Sequence, residues 1–204
     1  MRRSGLEPSA AWRDLRESRL NGEISPCLNE TEPTHRRLSS DRNPALKGSP
    51  VTTIRVICET TIAPDRVLYA ARDFTERRAE VFPAVSVPKL EVHTEGETSA
   101  DVTEGTSAGI GDNWERCDYD WSRRDSVTAT VTESNVYAVP GSSWEIKATP
   151  SDGGSRVEMI WIREFRPNAR GRIFGTAFRL IGNRIFNKYG REIVENLEKV
   201  EAGT

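Results

Sequence analysis

The sequence contains few of the residues that build disulfide-rich, metal-binding or membrane-spanning proteins. Of its 204 residues only three are cysteines and two are histidines, and the cysteines form no C-x-x-C pair. We therefore expect neither a disulfide framework nor a zinc site, and a reducing, cytoplasmic location. No apolar run approaches the roughly 18 to 20 residues that span a bilayer. We accordingly expect no integral membrane segment, and no secretory signal either, since no apolar stretch follows the N-terminal Met-Arg-Arg.

A surplus of basic charge is also missing. The 29 lysines and arginines are balanced by 31 aspartates and glutamates, which gives a net charge of −2. A nucleic-acid-binding protein usually shows a basic excess, so we expect no nucleic-acid partner. The chain also contains no P-loop, no G-x-G-x-x-G after a strand and no H-E-x-x-H. We expect no cofactor and no metal.

Apolar residues are scarce in the first quarter of the chain. Positions 1–50 hold 13 apolar residues, whereas positions 51–204 hold 60, and Trp12 is the only one of the 15 aromatic residues before position 51. A segment of this composition cannot bury enough apolar surface to fold alone. The sequence therefore predicts a disordered or weakly ordered tail over residues 1–50 and one folded domain over residues 51–204.

The domain begins with a strand and two short helices. Residues 51–62 are rich in β-branched side chains and end before Pro64, which is typical of a strand. Pro64 suits the first position of a helix because its missing N–H is not needed there. A second short helix is predicted over residues 76–82, stopped by Pro83.

Six further strands and a long helix complete the pattern. The strands are predicted over residues 87–94, 99–106, 113–122, 127–132, 142–149 and 156–165. Short turns join them, so they should form an antiparallel meander. Residues 173–200 contain no proline and place apolar side chains at three- and four-residue steps, which predicts one long helix. Gly182 within it indicates either a close approach to the sheet or a kink.

This order of elements resembles a known fold family. Four segments share its local texture: A-D-V-T-E-G-T (100–106), W-E-R-C-D-Y-D-W-S (114–122), S-V-T-A-T-V-T-E-S-N (126–135) and G-S-S-W-E (141–145). Over about residues 51–200 the chain resembles the START-related and birch-pollen-allergen-like (SRPBCC) superfamily, in its polyketide cyclase/dehydrase and lipid-transport-like branch. The resemblance implies an α+β helix-grip fold. In that fold a curved antiparallel sheet of about seven strands wraps round a long C-terminal helix, and two short helices follow the first strand.

The resemblance also implies a mainly apolar cavity between sheet and helix, which would bind a lipid, a sterol or a polyketide-like molecule. Strand parity and the helix stripe nominate nine residues for its walls, as an alternative to an ordinary filled core. They are Tyr119, Trp121, Trp144, Met159, Trp161, Arg163, Phe178, Ile181 and Ile185. The branch has no invariant catalytic signature, so the catalytic residues stay unknown.

Three polar residues have two interpretations each. Arg163 either binds a carboxylate or enolate at the cavity or forms a salt bridge with a neighbouring glutamate. Glu115 shares the face of Tyr119 and is either a buried acid or base or a paired surface residue. His93, the only histidine of the domain, is either a proton-transfer residue or, as we expect, a surface residue between Glu91 and Glu95.

Three functions remain open from the sequence. The first is binding of a hydrophobic small molecule by a monomer or homodimer. The second is a polyketide cyclase, aromatase or dehydratase that uses the same cavity. The third is a partner-binding domain whose core is filled.

Overall fold

A computed structural model describes residues 27–28, 51–106, 112–135, 141–165 and 169–203. These residues form eight strands: β1 (Cys27–Leu28), β2 (Thr52–Thr60), β3 (Glu91–Glu95), β4 (Ser99–Thr106), β5 (Asn113–Asp120), β6 (Ser126–Ser134), β7 (Ser143–Ser151) and β8 (Gly154–Arg163). They also form the helices α1 (Pro64–Ala71), α2 (Arg77–Val81) and α3 (Ala169–Ala202), and a 3-10 turn (Val87–Lys89).

The strands form one antiparallel sheet in the order β1-β2-β8-β7-β6-β5-β4-β3. Strands β3 to β8 follow one another as a meander, and β2 pairs with β8. Cross-strand pairing aligns one buried row across the sheet, from Ile54 through Trp161, Trp144, Ala129 and Tyr119 to Ala100. The predicted helix-grip fold is therefore confirmed, with the seven predicted strands and the short β1 beside them.

Helix α3 packs against the buried face of this sheet. Its C-terminal half buries Ile193, Val194 and Leu197. Nearer the N-terminus of the helix, Gly182 and Gly190 let its backbone approach β2. A Cβ atom at Gly182 would lie 3.0 Å from Cδ1 of Ile54, and one at Gly190 would lie 2.9 Å from Cγ1 of Val56. The close approach expected at Gly182 is present.

The short helices cover one end of the sheet. Pro64 occupies the first turn of α1, as expected, and α1 buries Val67, Ala70 and Ala71. Helix α2 contributes Arg78, whose side chain is fully buried. Among the described helices, none has an apolar stretch long enough, and free enough of charge, to cross a bilayer.

Two details differ from the sequence-based expectations. The strand predicted from residue 87 begins at Glu91, because Pro88 lies in the 3-10 turn and cannot donate a hydrogen bond to a sheet. Cys58 is disulfide-bonded, and the backbone of Cys27 lies opposite it in the β1–β2 register.

The sequence predicted no disulfide framework, but the cysteines do not all stay reduced, because strand pairing brings Cys58 opposite a cysteine that is far away in the sequence. The cysteines consequently no longer argue for a reducing compartment. Apart from β1, the tail predicted over residues 1–50 lies outside the described residues.

Candidate functional site

A cavity of about 370 Å³ lies between the sheet and α3. This volume falls in the usual range for small-molecule sites, roughly 300 to 1,000 Å³. The lining residues Ala84 and Ile185 are exposed, so the cavity meets solvent beside them. Eight of its 19 lining residues are aromatic: Phe82, Trp114, Trp144, Trp161, Phe165, Phe178, Phe186 and Tyr189.

The aromatic side chains on the helix side form a connected cluster. Phe186 packs edge-to-face on Trp161 and on Phe178, with ring centroids 4.7 Å and 5.0 Å apart. Phe178 packs in the same way on Phe165 at 5.2 Å. Such pairs contribute about 0.5 to 1.5 kcal/mol each beyond the apolar area that they bury. The cluster therefore holds the apolar wall of the cavity in a defined shape.

A buried ion pair forms part of the polar wall. Arg163 at the end of β8 donates from Nη1 and Nη2 to the two carboxylate oxygens of Glu115 on β5, at 3.1 Å and 3.4 Å. Burial raises the pKa of Glu115 above its ordinary value, and the nearby Arg163 only partly opposes that rise. The expected salt bridge of Arg163 is present, and Arg163 also lines the cavity, whereas its binding of a ligand carboxylate or enolate stays a prediction.

A second buried group joins α2 to β4 and β5. The Arg78 guanidinium donates from Nε to Glu104 at 2.6 Å and from Nη2 to the Tyr119 hydroxyl at 2.9 Å. Tyr119 donates in turn to Glu104 at 2.6 Å. Burial alone would lower the pKa of Arg78, but Glu104 and Tyr119 raise it above its usual range. Glu104 is the member of this group that lines the cavity.

Tyr189 adds a hydroxyl to the lining. Burial raises the pKa of this phenol, so it stays protonated at neutral pH. Within the part of the chain that the structure describes, the hydroxyl forms no hydrogen bond. It is therefore available to a polar group of a ligand. The charged lining residues and their partners, two arginines and two glutamates, sum to zero formal charge.

The structure brings five of the nine nominated residues together at the cavity. They are Trp144, Trp161, Arg163, Phe178 and Ile185. The two tryptophans are paired across β7 and β8, and Arg163 lies two residues beyond Trp161 on the same face. Their assignment to a ligand stays a prediction.

The other four nominated residues lie elsewhere. Tyr119 is covered by Arg78 and Phe74, and Met159 is buried beneath Gly190. Trp121 follows the end of β5 and donates its indole N–H to the Glu97 carbonyl oxygen at 2.8 Å.

Ile181 is the fourth residue of this group. It is 52% exposed because its neighbour Gly182, rather than Ile181 itself, faces the sheet.

Fourteen of the 19 lining residues were not nominated by the sequence analysis, among them Phe82, Glu104 and Phe186. The sequence held a signal for Glu104, because it shares strand parity with the apolar residues Ala100 and Val102. In the structure all three residues are buried. Phe82 was treated only as the end of a short helix. Phe186 lies off the predicted series of three- and four-residue steps, which passes from Ile185 directly to Tyr189.

Comparison with known proteins shows the fold. No protein-family model matches the chain, and no curated protein matches its sequence significantly. Solved structures do match. TTHA0849 from Thermus thermophilus aligns over 76% of this chain and 100% of its own, with a TM-score of 0.57 and 15% identity.

Two enzymes align to a similar extent. The ZhuI aromatase/cyclase from a Streptomyces species aligns over 72% of this chain and 92% of its own, with a TM-score of 0.53 and 17% identity. A truncated norcoclaurine synthase from Thalictrum flavum aligns over 76% of this chain and 96% of its own, with a TM-score of 0.56 and 9% identity. The chain has the SRPBCC-type helix-grip fold. At these identities the likeness extends to the fold of the SRPBCC structures and no further.

Proposed function

We propose that this protein binds a hydrophobic small molecule in the cavity between the sheet and α3. The observation that carries the proposal is the cavity itself, with its aromatic walls and its few buried polar groups. An apolar ligand surface buried there contributes roughly 25 cal/mol per Å². A filled core would have left no such space, so the cavity favours ligand binding over the partner-binding alternative.

The charges at the cavity favour a neutral ligand. Each buried arginine is already paired with a glutamate, so a charged ligand would enter without a counter-charge of its own. Tyr189 offers a donor and an acceptor to a hydroxyl or carbonyl group. We therefore expect a neutral, largely apolar molecule with one or two oxygen functions, as in a lipid, a sterol or a polyketide-like compound.

A pair of exposed isoleucines provides the test. Ile185 lines the mouth of the cavity, whereas Ile181 lies one turn away outside it, and both are 52% exposed. We expect Ile185→Trp to fill the mouth and to weaken binding of the neutral fluorophore 1-N-phenylnaphthylamine by about tenfold, or about 1.4 kcal/mol. Ile181→Trp is the matched control and should bind like the wild type. Equal affinities in all three proteins, measured by fluorescence titration, would place the probe elsewhere.

Glu115 favours a second candidate function, a cyclase, aromatase or dehydratase that uses the same cavity. A carboxyl group with a raised pKa holds its proton closer to neutral pH and serves as a general acid or base. A polyketide-type substrate is the class to test first, given the aromatase/cyclase of similar fold. Loss of turnover in Glu115→Gln, with probe affinity retained, would favour catalysis over simple binding.

A further inference from the structure

The N-terminal half of α3 carries an apolar stripe that faces away from the protein. Ile173 and Leu180 are 71% and 80% exposed, and Ala177 and Ile181 are exposed beside them. Their spacing of i, i+4, i+7 and i+8 places them on one side of the helix. The sheet packs on the opposite side, at the glycines of the helix. This outer stripe is therefore separate from the apolar face that builds the core.

The charge of the helix is divided along its length. Residues 169–191 contain six basic and no acidic residues, whereas residues 192–202 contain four acidic residues and one lysine. A helix is stabilised by acidic residues near its N-terminus and basic residues near its C-terminus, so this arrangement opposes the helix dipole. Arg172, Arg179 and Arg184 are exposed, and none of the three forms an ion pair with another described residue. Helix stability does not explain their position.

From this combination we propose that the outer face of residues 172–184 docks on the surface of an anionic phospholipid bilayer. A helix that lies in the membrane interface places leucine and isoleucine at the acyl boundary and arginine among the lipid phosphates. The exposed stripe and the flanking arginines supply both parts. The docking surface goes beyond ligand binding in the cavity and does not depend on it.

Charge complementarity disfavours three other occupants. A second copy of the same face would place three arginines against three arginines with no acidic residue between them. The segment 1–50 carries nine basic and seven acidic residues, so it has no negative excess to offer. A nucleic acid would pair with the arginines but would leave Ile173 and Leu180 in water.

The docking face also adjoins the mouth of the cavity. Ile185 lines the cavity and is itself exposed, and it follows the last residue of the docking face. A protein docked through this face would hold the mouth close to the lipid. The acyl region would then supply or receive an apolar molecule without its passing through bulk water.

Vesicle binding by the full chain tests the proposal. We expect co-sedimentation with vesicles of phosphatidylcholine and phosphatidylglycerol at about three to one, weak binding to phosphatidylcholine alone, and loss of binding at about 1 M salt. Two variants alter the face: Leu180→Ser/Ile181→Ser removes apolar area, and Arg179→Glu/Arg184→Glu reverses charge. Each should lower the partition coefficient by about tenfold or more.

Matched controls separate the face from general changes in charge and hydropathy. Arg123→Glu/Arg124→Glu makes the same change of net charge in an exposed turn, and Val51→Ser/Val92→Ser removes exposed apolar area elsewhere. Both controls should bind vesicles like the wild type. The proposal is overturned if the wild type binds anionic and neutral vesicles equally, or if the α3 variants bind as well as the controls.

Analytical ultracentrifugation without lipid measures the oligomeric state of the same proteins. A wild-type dimer that Leu180→Ser/Ile181→Ser dissociates would assign the face to self-association and would also overturn the proposal. Binding of 1-N-phenylnaphthylamine in solution is measured separately, so a failure of docking and a failure of ligand binding remain distinct.

Discussion

Two ion pairs lie inside the protein next to the cavity. Arg163–Glu115 and Arg78–Glu104 are both largely removed from solvent. Burying charges costs several kcal/mol per ion, which the attraction between partners offsets only when the geometry is good. Each pair also presents a carboxylate to the cavity. We infer that these pairs shape the polar wall of the site rather than add to the stability of the fold.

Removing Arg163 should make the stability depend on pH. In Arg163→Met the Glu115 carboxylate keeps its burial but loses its cation, so its folded-state pKa rises further above the ordinary value of 4.5. A pKa raised on folding means that stability is full below the unfolded-state value and is lost as the pH rises through the folded-state value. We expect Arg163→Met to lower the free energy of unfolding by about 3 to 5 kcal/mol at neutral pH and by less near pH 5.

Urea unfolding of both proteins at several pH values measures this gap. The control makes the same Arg163→Met change in the Glu115→Gln background. Neither protein of that pair has the carboxylate, so the gap between Glu115→Gln and Glu115→Gln/Arg163→Met should not depend on pH. A gap that is independent of pH in Arg163→Met itself would show that Glu115 does not titrate as described.

Some individual residues of the candidate site could be predicted from the sequence. Period-two alternation along β7 and β8 places Trp144, Trp161 and Arg163 on one face without any knowledge of the partners. It does not show that Arg78 and Phe74 cover Tyr119, because that depends on where a short helix packs. Glu104 was overlooked because a charged residue on a buried face looks like an exception until its cation is found.

Helix α3 combines three functions in one element. Its glycines approach β2, its aromatic residues wall the cavity, and its outer stripe faces away from both. Glycine costs a helix about 1 kcal/mol relative to alanine. Gly190 is nevertheless required by space, since a Cβ there would lie 2.9 Å from Cγ1 of Val56.

A double-mutant cycle tests the close approach at Gly190. We expect Gly190→Ala to destabilise the wild type by about 1 to 2 kcal/mol through overpacking. In the Val56→Ala background the clashing methyl groups are gone, so Gly190→Ala should become neutral or stabilise by up to about 1 kcal/mol. Thermal or urea unfolding of the four proteins gives the coupling energy. A coupling near zero would mean that the helix does not rest on Val56.

The elements themselves were largely predictable, because periodicity and proline positions are local signals. Helix 173–200 and six of the seven domain strands overlap the observed bounds closely. The phase of α3 was less predictable. Its apolar residues occupy more than one side of the helix, so spacing alone did not decide whether Ile181 or Gly182 faces the sheet.

At the scale of the whole molecule, a net charge of −2 conceals a strongly uneven distribution. The basic half of α3 lies next to the mouth of the cavity, and the acidic half continues away from it. Composition alone gives no sign of this, since the total of the charges nearly cancels. The candidate ligand site and the proposed docking face are thus neighbours on one helix.

The most direct measurement is native mass spectrometry of the full chain as purified, followed by solvent extraction of the bound material. The account predicts one neutral, largely apolar molecule per chain, retained by Ile181→Trp and present at lower occupancy in Ile185→Trp. A chain that carries no ligand and also takes up no 1-N-phenylnaphthylamine would contradict the assignment of the cavity as a binding site.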